Sequence, residues 1–98
     1  MFDKIKQLME MQKKMEEVKR QLESAVFEVS SSDGTVKLSM SGTGDVKSVV
    51  LNIDFQTVNK IELESSLRDT YNRALKRSHE IAAQKMKDVS GFDIPGLK

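Results

Sequence analysis

Residues 25–53 read AVFEVSSSDGTVKLSMSGTGDVKSVVLNI, and this stretch decides the fold. Its middle alternates strictly. Val36, Leu38 and Met40 fall on one face, and Thr35, Lys37, Ser39 and Ser41 on the other. That is the period of a half-buried strand. A second alternation precedes it, with Ala25, Phe27 and Val29 opposite Glu28 and Ser30. A third follows, with Val49, Leu51 and Ile53 opposite Ser48 and Asn52. Ser31-Ser32-Asp33-Gly34 and Gly42-Thr43-Gly44-Asp45 separate the three runs. Both carry the Gly and Asp that tight turns favour. Strands at about 25–31, 35–41 and 46–53 joined by such short turns make an antiparallel meander.

Outside the meander the period changes to that of a helix. Ile5, Leu8, Met11, Met15, Val18 and Leu22 recur every three or four residues, and the segment 2–23 contains neither Gly nor Pro. A helix of about 2–23 is expected, with a near-heptad seam that Met1 and Met9 widen. After the third strand, 54–58 connect to Asn59, an N-cap with Glu62 three residues on. A second helix of about 60–89 follows. Its stripe is Leu63, Leu67, Tyr71, Ala74, Leu75, Ser78, Ala82, Met86 and Val89. Gly91 stops it, leaving 90–98 as a loose tail with Pro95 and Gly96. Residues 1–98 thus form a single α+β domain in the order α-β-β-β-α.

An odd number of antiparallel strands places the two helices at opposite ends of the sheet. To bury its stripe, the second helix must fold back over the strands. A strand of about seven residues spans roughly 23 Å and a helix of about 28 residues roughly 42 Å. The second helix therefore overshoots, and its outer half can run beside the first helix as a projecting arm. One sheet face and an edge strand would remain uncovered. A homodimer built mainly through the sheet would cover them.

The 98 residues bound the chemistry. There is no cysteine, which excludes disulfides, thiolate metal sites and cysteine nucleophiles. A single histidine, His79, does not make an imidazole metal site. The carboxylates form no fixed pair for acid–base work, and Gly42-Thr43-Gly44-Asp45 lacks the Gly-Lys-Ser/Thr of a phosphate loop. No catalytic residue, metal, cofactor or small-molecule substrate is expected. No apolar run is long enough to span a membrane, and the first residues carry no secretory h-region, so a cytosolic chain is the simple expectation.

The ordered motifs also resemble a known family. Gly34-Thr35-Val36-Lys37-Leu38-Ser39-Met40-Ser41-Gly42, with Val46, Val49, Leu51, Ile53 and Asp54 after it, looks like the central strands of the YbaB/EbfC family of nucleoid-associated proteins. Tyr71-Asn72-Arg73-Ala74 is similar to that family's aromatic-Asn-x-Ala stretch. Lys85-Met86 and Gly91-Phe92-Asp93-Ile94-Pro95-Gly96-Leu97 are similar to its C-terminal end. The resemblance implies small cytosolic bacterial homodimers, shaped like tweezers and located at the nucleoid, that bind duplex DNA with little or variable sequence preference.

Charge narrows where DNA would be held. The net charge is only +1, from 16 basic and 15 acidic residues. Within 71–87, however, Arg73, Lys76, Arg77, Lys85 and Lys87 face the single acid Glu80. Lys4, Lys6, Lys13 and Lys14 lie on the outer half of the first helix, beside that segment in the folded-back arrangement. These nine residues are the candidate phosphate contacts. The competing reading treats them as a solvated helix face held by pairs such as Glu10–Lys14, Glu16–Arg20 and Lys13–Glu17. A different functional class also fits: a protein-interaction module or holdase whose Met-rich arms grip apolar clients.

Overall fold

A computed structural model describes residues 2–90. The elements are α1 (Phe2–Ser24), β1 (Val26–Ser30), β2 (Val36–Ser41), β3 (Val46–Leu51) and α2 (Lys60–Ser90). The sheet order is β1-β2-β3, antiparallel throughout. The α-β-β-β-α meander expected from the sequence is present. The tail expected at 90–98 lies outside the described residues, apart from Ser90 at the end of α2. The molecule is long and thin, 68 × 24 × 16 Å.

Local chemistry sets the boundaries. Ala25 donates its N–H back to the Gln21 carbonyl at 3.0 Å, so it closes α1 rather than opening β1. At the first turn Gly34 has φ 75° and donates to the Ser31 carbonyl at 3.0 Å. Asn59 accepts the Glu62 N–H on its side-chain oxygen at 3.1 Å and so caps α2 as expected. The connector before it is fixed by Asp54. Its carboxylate accepts the Gln56 N–H at 2.9 Å, and its carbonyl accepts those of Thr57 and Val58.

The core is small. Val36, Leu38 and Met40 of β2 are fully buried together with Ala74 of α2, and Phe27 and Val29 of β1 pack against them. The residues α2 lays deepest on the sheet are Thr70, Ala74 and Ser78, each 0% exposed. Their spacing of four puts them on one line, and their small size lets the helix approach the sheet closely. Leu67 and Tyr71, expected in the buried stripe, remain 38% exposed beside that line.

That rotation has a consequence for β3. Leu38 pairs with Val49, Val36 with Leu51 and, across an irregularity at Ser39/Met40, Met40 with Val46. Val46, Val49 and Leu51 therefore share the α2-facing side of the sheet. Yet α2 lies over β2 and β1, and every residue of β3 is exposed. The opposite sheet face is mostly polar, with Glu28 and Lys37 ion-paired at 3.3 Å, but it also exposes Val26 and Val50. Open apolar surface thus lies on the helix side of β3, with two further valines on the back of the sheet.

Candidate nucleic-acid interface

Where the two helices leave the sheet is set by Gly42. Its N–H donates to the carbonyls of Leu22 and Ala25, at 2.9 and 3.0 Å. A Cβ there would lie 3.0 Å from Leu22 Cδ2, 3.1 Å from the Leu22 carbonyl oxygen and 3.3 Å from Ile81 Cγ2. The end of α1, the end of β2 and the middle of α2 meet at this point, and only a hydrogen fits between them. From this level α1 runs back to Phe2 and α2 runs on only to Ser90. At 1.5 Å per residue, α1 projects roughly 16 Å beyond the last described residue of α2.

The burial along α1 follows from this. Val18 is 5% exposed where α2 accompanies the helix, while Met15, Met11, Leu8 and Ile5 of the same seam are 54–65% exposed. On this free stretch lie Lys4, Lys6, Lys13 and Lys14, all exposed and without an ion pair among the described residues. At ~100° per residue, Lys6 and Lys13 fall within about 20° of each other on the side away from the seam, with Lys14 on its flank. Lys4 falls on the seam line itself.

The intrahelical pairs that would neutralise these lysines are not made as expected. Arg20 takes Glu17, not Glu16, in a two-pronged contact, and Gln21 donates to the same carboxylate at 3.0 Å. Hydrogen bonds from Arg20 and then Gln21 hold the Glu17 carboxyl below its ordinary value of 4.5. Glu17 is thereby engaged one turn further on, and Lys13 is left unpaired among the described residues.

The candidates on α2 divide. Arg73, Lys76 and Arg77 were expected on the projecting half, but they lie over the sheet. Arg73 donates from Nη2 to the Ser30 carbonyl of β1 at 2.8 Å, and Leu75 and Ser78 sit against Gly44 of the second turn. The connector starts α2 far enough along that the helix clears the sheet only near Ile81. Arg77 contacts Glu80 at 3.5 Å, and Lys76 is exposed. Only Lys85 and Lys87 stand on the stretch beside α1, Lys85 half-buried and Lys87 exposed. The arm and the Arg73-Lys76-Arg77 cluster are thus two basic patches, separated along α2, rather than one.

Reading the chain alone missed the gap between β3 and α2. Leu38, Val46, Val49, Glu64, Leu67, Arg68 and Tyr71 line an open cavity of about 520 Å³ there. The signal that reveals it is the line of small residues Thr70, Ala74 and Ser78, which runs along one side of the expected stripe and lets the helix rotate away from Leu67 and Tyr71. Elsewhere, His79 is exposed, and among the described residues no group of three or more His, Asp or Glu is placed to hold a metal ion. No described helix is long and apolar enough to cross a membrane.

Comparison with known proteins agrees with this architecture. Residues 1–92 match the model of the YbaB/EbfC DNA-binding family. A nucleoid-associated protein of Dictyoglomus turgidum is 34% identical over 98 residues, covering 96% of this chain and 92% of that one. A nucleoid-associated protein of Syntrophobacter fumaroxidans is 34% identical over 102 residues, with 99% and 90% covered. The crystal structure of an uncharacterized Helicobacter pylori protein superposes with TM-score 0.63 at 18% identity, covering 86% of this chain and 94% of that one, and so shares the fold.

Proposed function

Because the chain belongs to the YbaB/EbfC DNA-binding family, a family of nucleoid-associated proteins and not of enzymes, we propose that it binds duplex DNA as a homodimer, at the nucleoid in the cytoplasm. The contacts are made to phosphates by the projecting helices, with little sequence preference. One observation carries this reading: Lys4 and Lys6 lie on the part of α1 beyond the last described residue of α2, Lys13 and Lys14 stand beside that end, and none of the four is neutralised by a described residue. Lysines held this way act as point charges toward a phosphate backbone and read no base edges. Arg73, Lys76 and Arg77 extend the basic surface along α2, and two copies in a dimer would present two arms.

Binding that releases counterions from roughly 4–8 phosphates has a log K against log salt slope of about −4 to −7. Changing Lys4, Lys6, Lys13 and Lys14 together to Gln keeps a good helix former and should weaken binding to all duplexes alike while flattening that slope. Arg73, Lys76 and Arg77 to Gln should do so less, since Arg73 is held by Ser30 and Arg77 by Glu80. Lys37 and Lys47 to Gln, on the sheet, is the matched control. Fluorescence anisotropy with a mixed-sequence duplex over a salt series reads all three. A sheet pair that costs more affinity than the α1 lysines would refute the arm as the contact surface. The exposed Ile5, Leu8, Met9, Met11 and Met15 favour the second reading, an arm that grips apolar clients. Its binding would persist as salt rises.

A further inference from the structure

We propose that residues 91–98 of this chain, which lie outside the described residues, continue along α1 and strap its exposed seam, with Phe92 over Leu8 and Ile94 over Ile5. The inference does not rest on the DNA reading. It gives the apolar seam of the arm an occupant from within the same chain.

Three observations lead to it. The first is position. Gly42 brings Leu22 and Ile81 to one level. Ser90 is nine residues past Ile81, so α2 reaches the level of the α1 residue nine before Leu22, which is Lys13. The two helices run in opposite directions, so the chain leaving Ser90 heads toward the start of α1. The seam ahead of it is open, with Met11 61%, Leu8 65% and Ile5 58% exposed.

The second observation is a change of rise at that point. Residues 91–98 read GFDIPGLK. Gly91 stops the helical pattern, and Pro95 cannot continue it. Extended chain advances about 3.3 Å per residue against 1.5 Å in a helix. Phe92 therefore comes roughly 6.6 Å past Ser90, to the level of Leu8, and Ile94 roughly 13 Å past it, to the level of Ile5. Gly91 falls beside Met11 and has no side chain to cover it. The alternation of extended chain puts Phe92 and Ile94 on one face and Asp93 on the other. The apolar pair meets the seam while the charge meets water.

The third observation selects this occupant over a separate apolar client. Pro95 fixes its own φ and biases Ile94 toward extended backbone. Part of the ordering entropy is thus already lost in the free segment. A segment joined at Ser90 also meets the seam at an effective concentration in the millimolar range. A client of the same chemistry must displace it first. Lys6 and Lys13 lie on the side of α1 away from the seam, so the strap leaves them open to phosphate.

The chain contains no cysteine, so two introduced ones report proximity without competitors. Leu8 and Lys6 are both exposed, and a cysteine at either should leave the fold intact. In the full chain, Leu8→Cys with Phe92→Cys should close a disulfide within one chain at least ~10-fold faster than Lys6→Cys with Phe92→Cys, because the bond needs Cα atoms within about 7 Å. Ile94 on Ile5 still holds the segment in the tested pair. Mass spectrometry without reduction separates a bond within one chain from a bond between two. Phe92→Ser with Ile94→Ser should raise the fluorescence of added anilinonaphthalene sulfonate about threefold by opening the seam. Phe92→Leu with Ile94→Val should leave it near the parent value. Circular dichroism and sedimentation matching the parent establish that the dye reads the seam and not unfolding or dissociation. Equal rates for the two cysteine pairs, bonds formed mainly between chains, or fluorescence unmoved by the serines would each overturn the strap. The lysine variants test the DNA reading separately, so the two fail independently.

Discussion

The two halves of α1 share one apolar seam, yet they behave as different objects. Around Val18 and Leu22 the helix is clamped between β2 and α2. Three residues from Val18 toward the N-terminus, Met15 is already 54% exposed, and Met11 rises to 61%. The seam does not change there; the exposure rises as α1 approaches and then passes the level of Ser90, the last described residue of α2. Helix formation in the outer half therefore rests on local propensity and on its continuity with the clamped half. One half of α1 is structural and the other is available for binding.

The sharpest way to break this comparison is at the clamp. Gly42→Val would place a branched side chain where a Cβ alone meets the Leu22 carbonyl oxygen at 3.1 Å, an atom that cannot move without unwinding α1. A loss of about 2–4 kcal/mol is expected, enough to unfold a small domain at moderate temperature, and urea denaturation will measure it. The sheet itself should survive local repacking better than the arm does. A variant as stable as the parent would mean that α1 is not held at Gly42.

A matched pair of truncations comes next. Val18→Ala removes two buried methyl groups from the clamped half and should cost about 1–2 kcal/mol. Met11→Ala on the same seam should cost less than about 0.5 kcal/mol, as surface positions do. Equal effects from the two in thermal melts would show that the outer half is packed in solution.

The strands and their faces were legible because alternation has one interpretation: a slip by one residue would turn Val36, Leu38 and Met40 to solvent. The rotation of α2 was not. Within the expected stripe Leu63, Leu67 and Tyr71 lie to one side and Ala74 and Ser78, in line with Thr70, to the other, and which side faces the sheet depends on how closely the helix approaches it. Small residues won because they allow a shorter distance, and Leu67 and Tyr71 were left at the mouth of a cleft. Gly42 read as a turn residue, whereas its role is the close approach of two helices. The basic residues could be counted from the chain. That Arg73 is tied to Ser30 and that Lys13 is left without Glu17 depends on contacts no spacing rule contains.

Asp33 offers a smaller effect at the other end of the sheet, and one that pH can switch. Its carboxylate accepts from the Ser31 hydroxyl at 2.7 Å, from the Thr35 hydroxyl at 2.7 Å and N–H at 3.1 Å, and from the Ser66 hydroxyl of α2 at 3.1 Å. These bonds, that from Ser31 first, hold the carboxyl well below its ordinary value of 3.8. A group depressed on folding contributes stability that is fully present above its unfolded pKa and disappears as pH falls through the folded one. Asp33→Asn should therefore lower Tm at neutral pH, and the gap to the parent should close as pH drops below 3.8. A gap that is constant from neutral to acid pH would mean that shape and not charge holds the turn to α2.

The smallest expected change is a gain. Thr70 is 0% exposed, and its hydroxyl has no hydrogen-bond partner among the described residues. A helical threonine ordinarily returns its hydroxyl to the carbonyl of the preceding turn. Here that oxygen is desolvated against the sheet with nothing to offset the loss, a cost of roughly 1–3 kcal/mol for an unsatisfied buried group. Valine has nearly the same shape and the same β-branching, and its extra methyl needs no partner. Thr70→Val should therefore raise stability by about 1 kcal/mol, seen as a Tm roughly 4–8 °C higher for a domain of this size. Protein concentration must be held fixed, because association shifts Tm by mass action. The variant leaves the cleft residues Leu67 and Tyr71 and the tether at Arg73 in place, so association and DNA affinity should not change. A lower Tm would show that the hydroxyl finds the Ser66 carbonyl in solution. The close approach of α2 to the sheet would then depend on that bond as well as on the small size of the residues along the line.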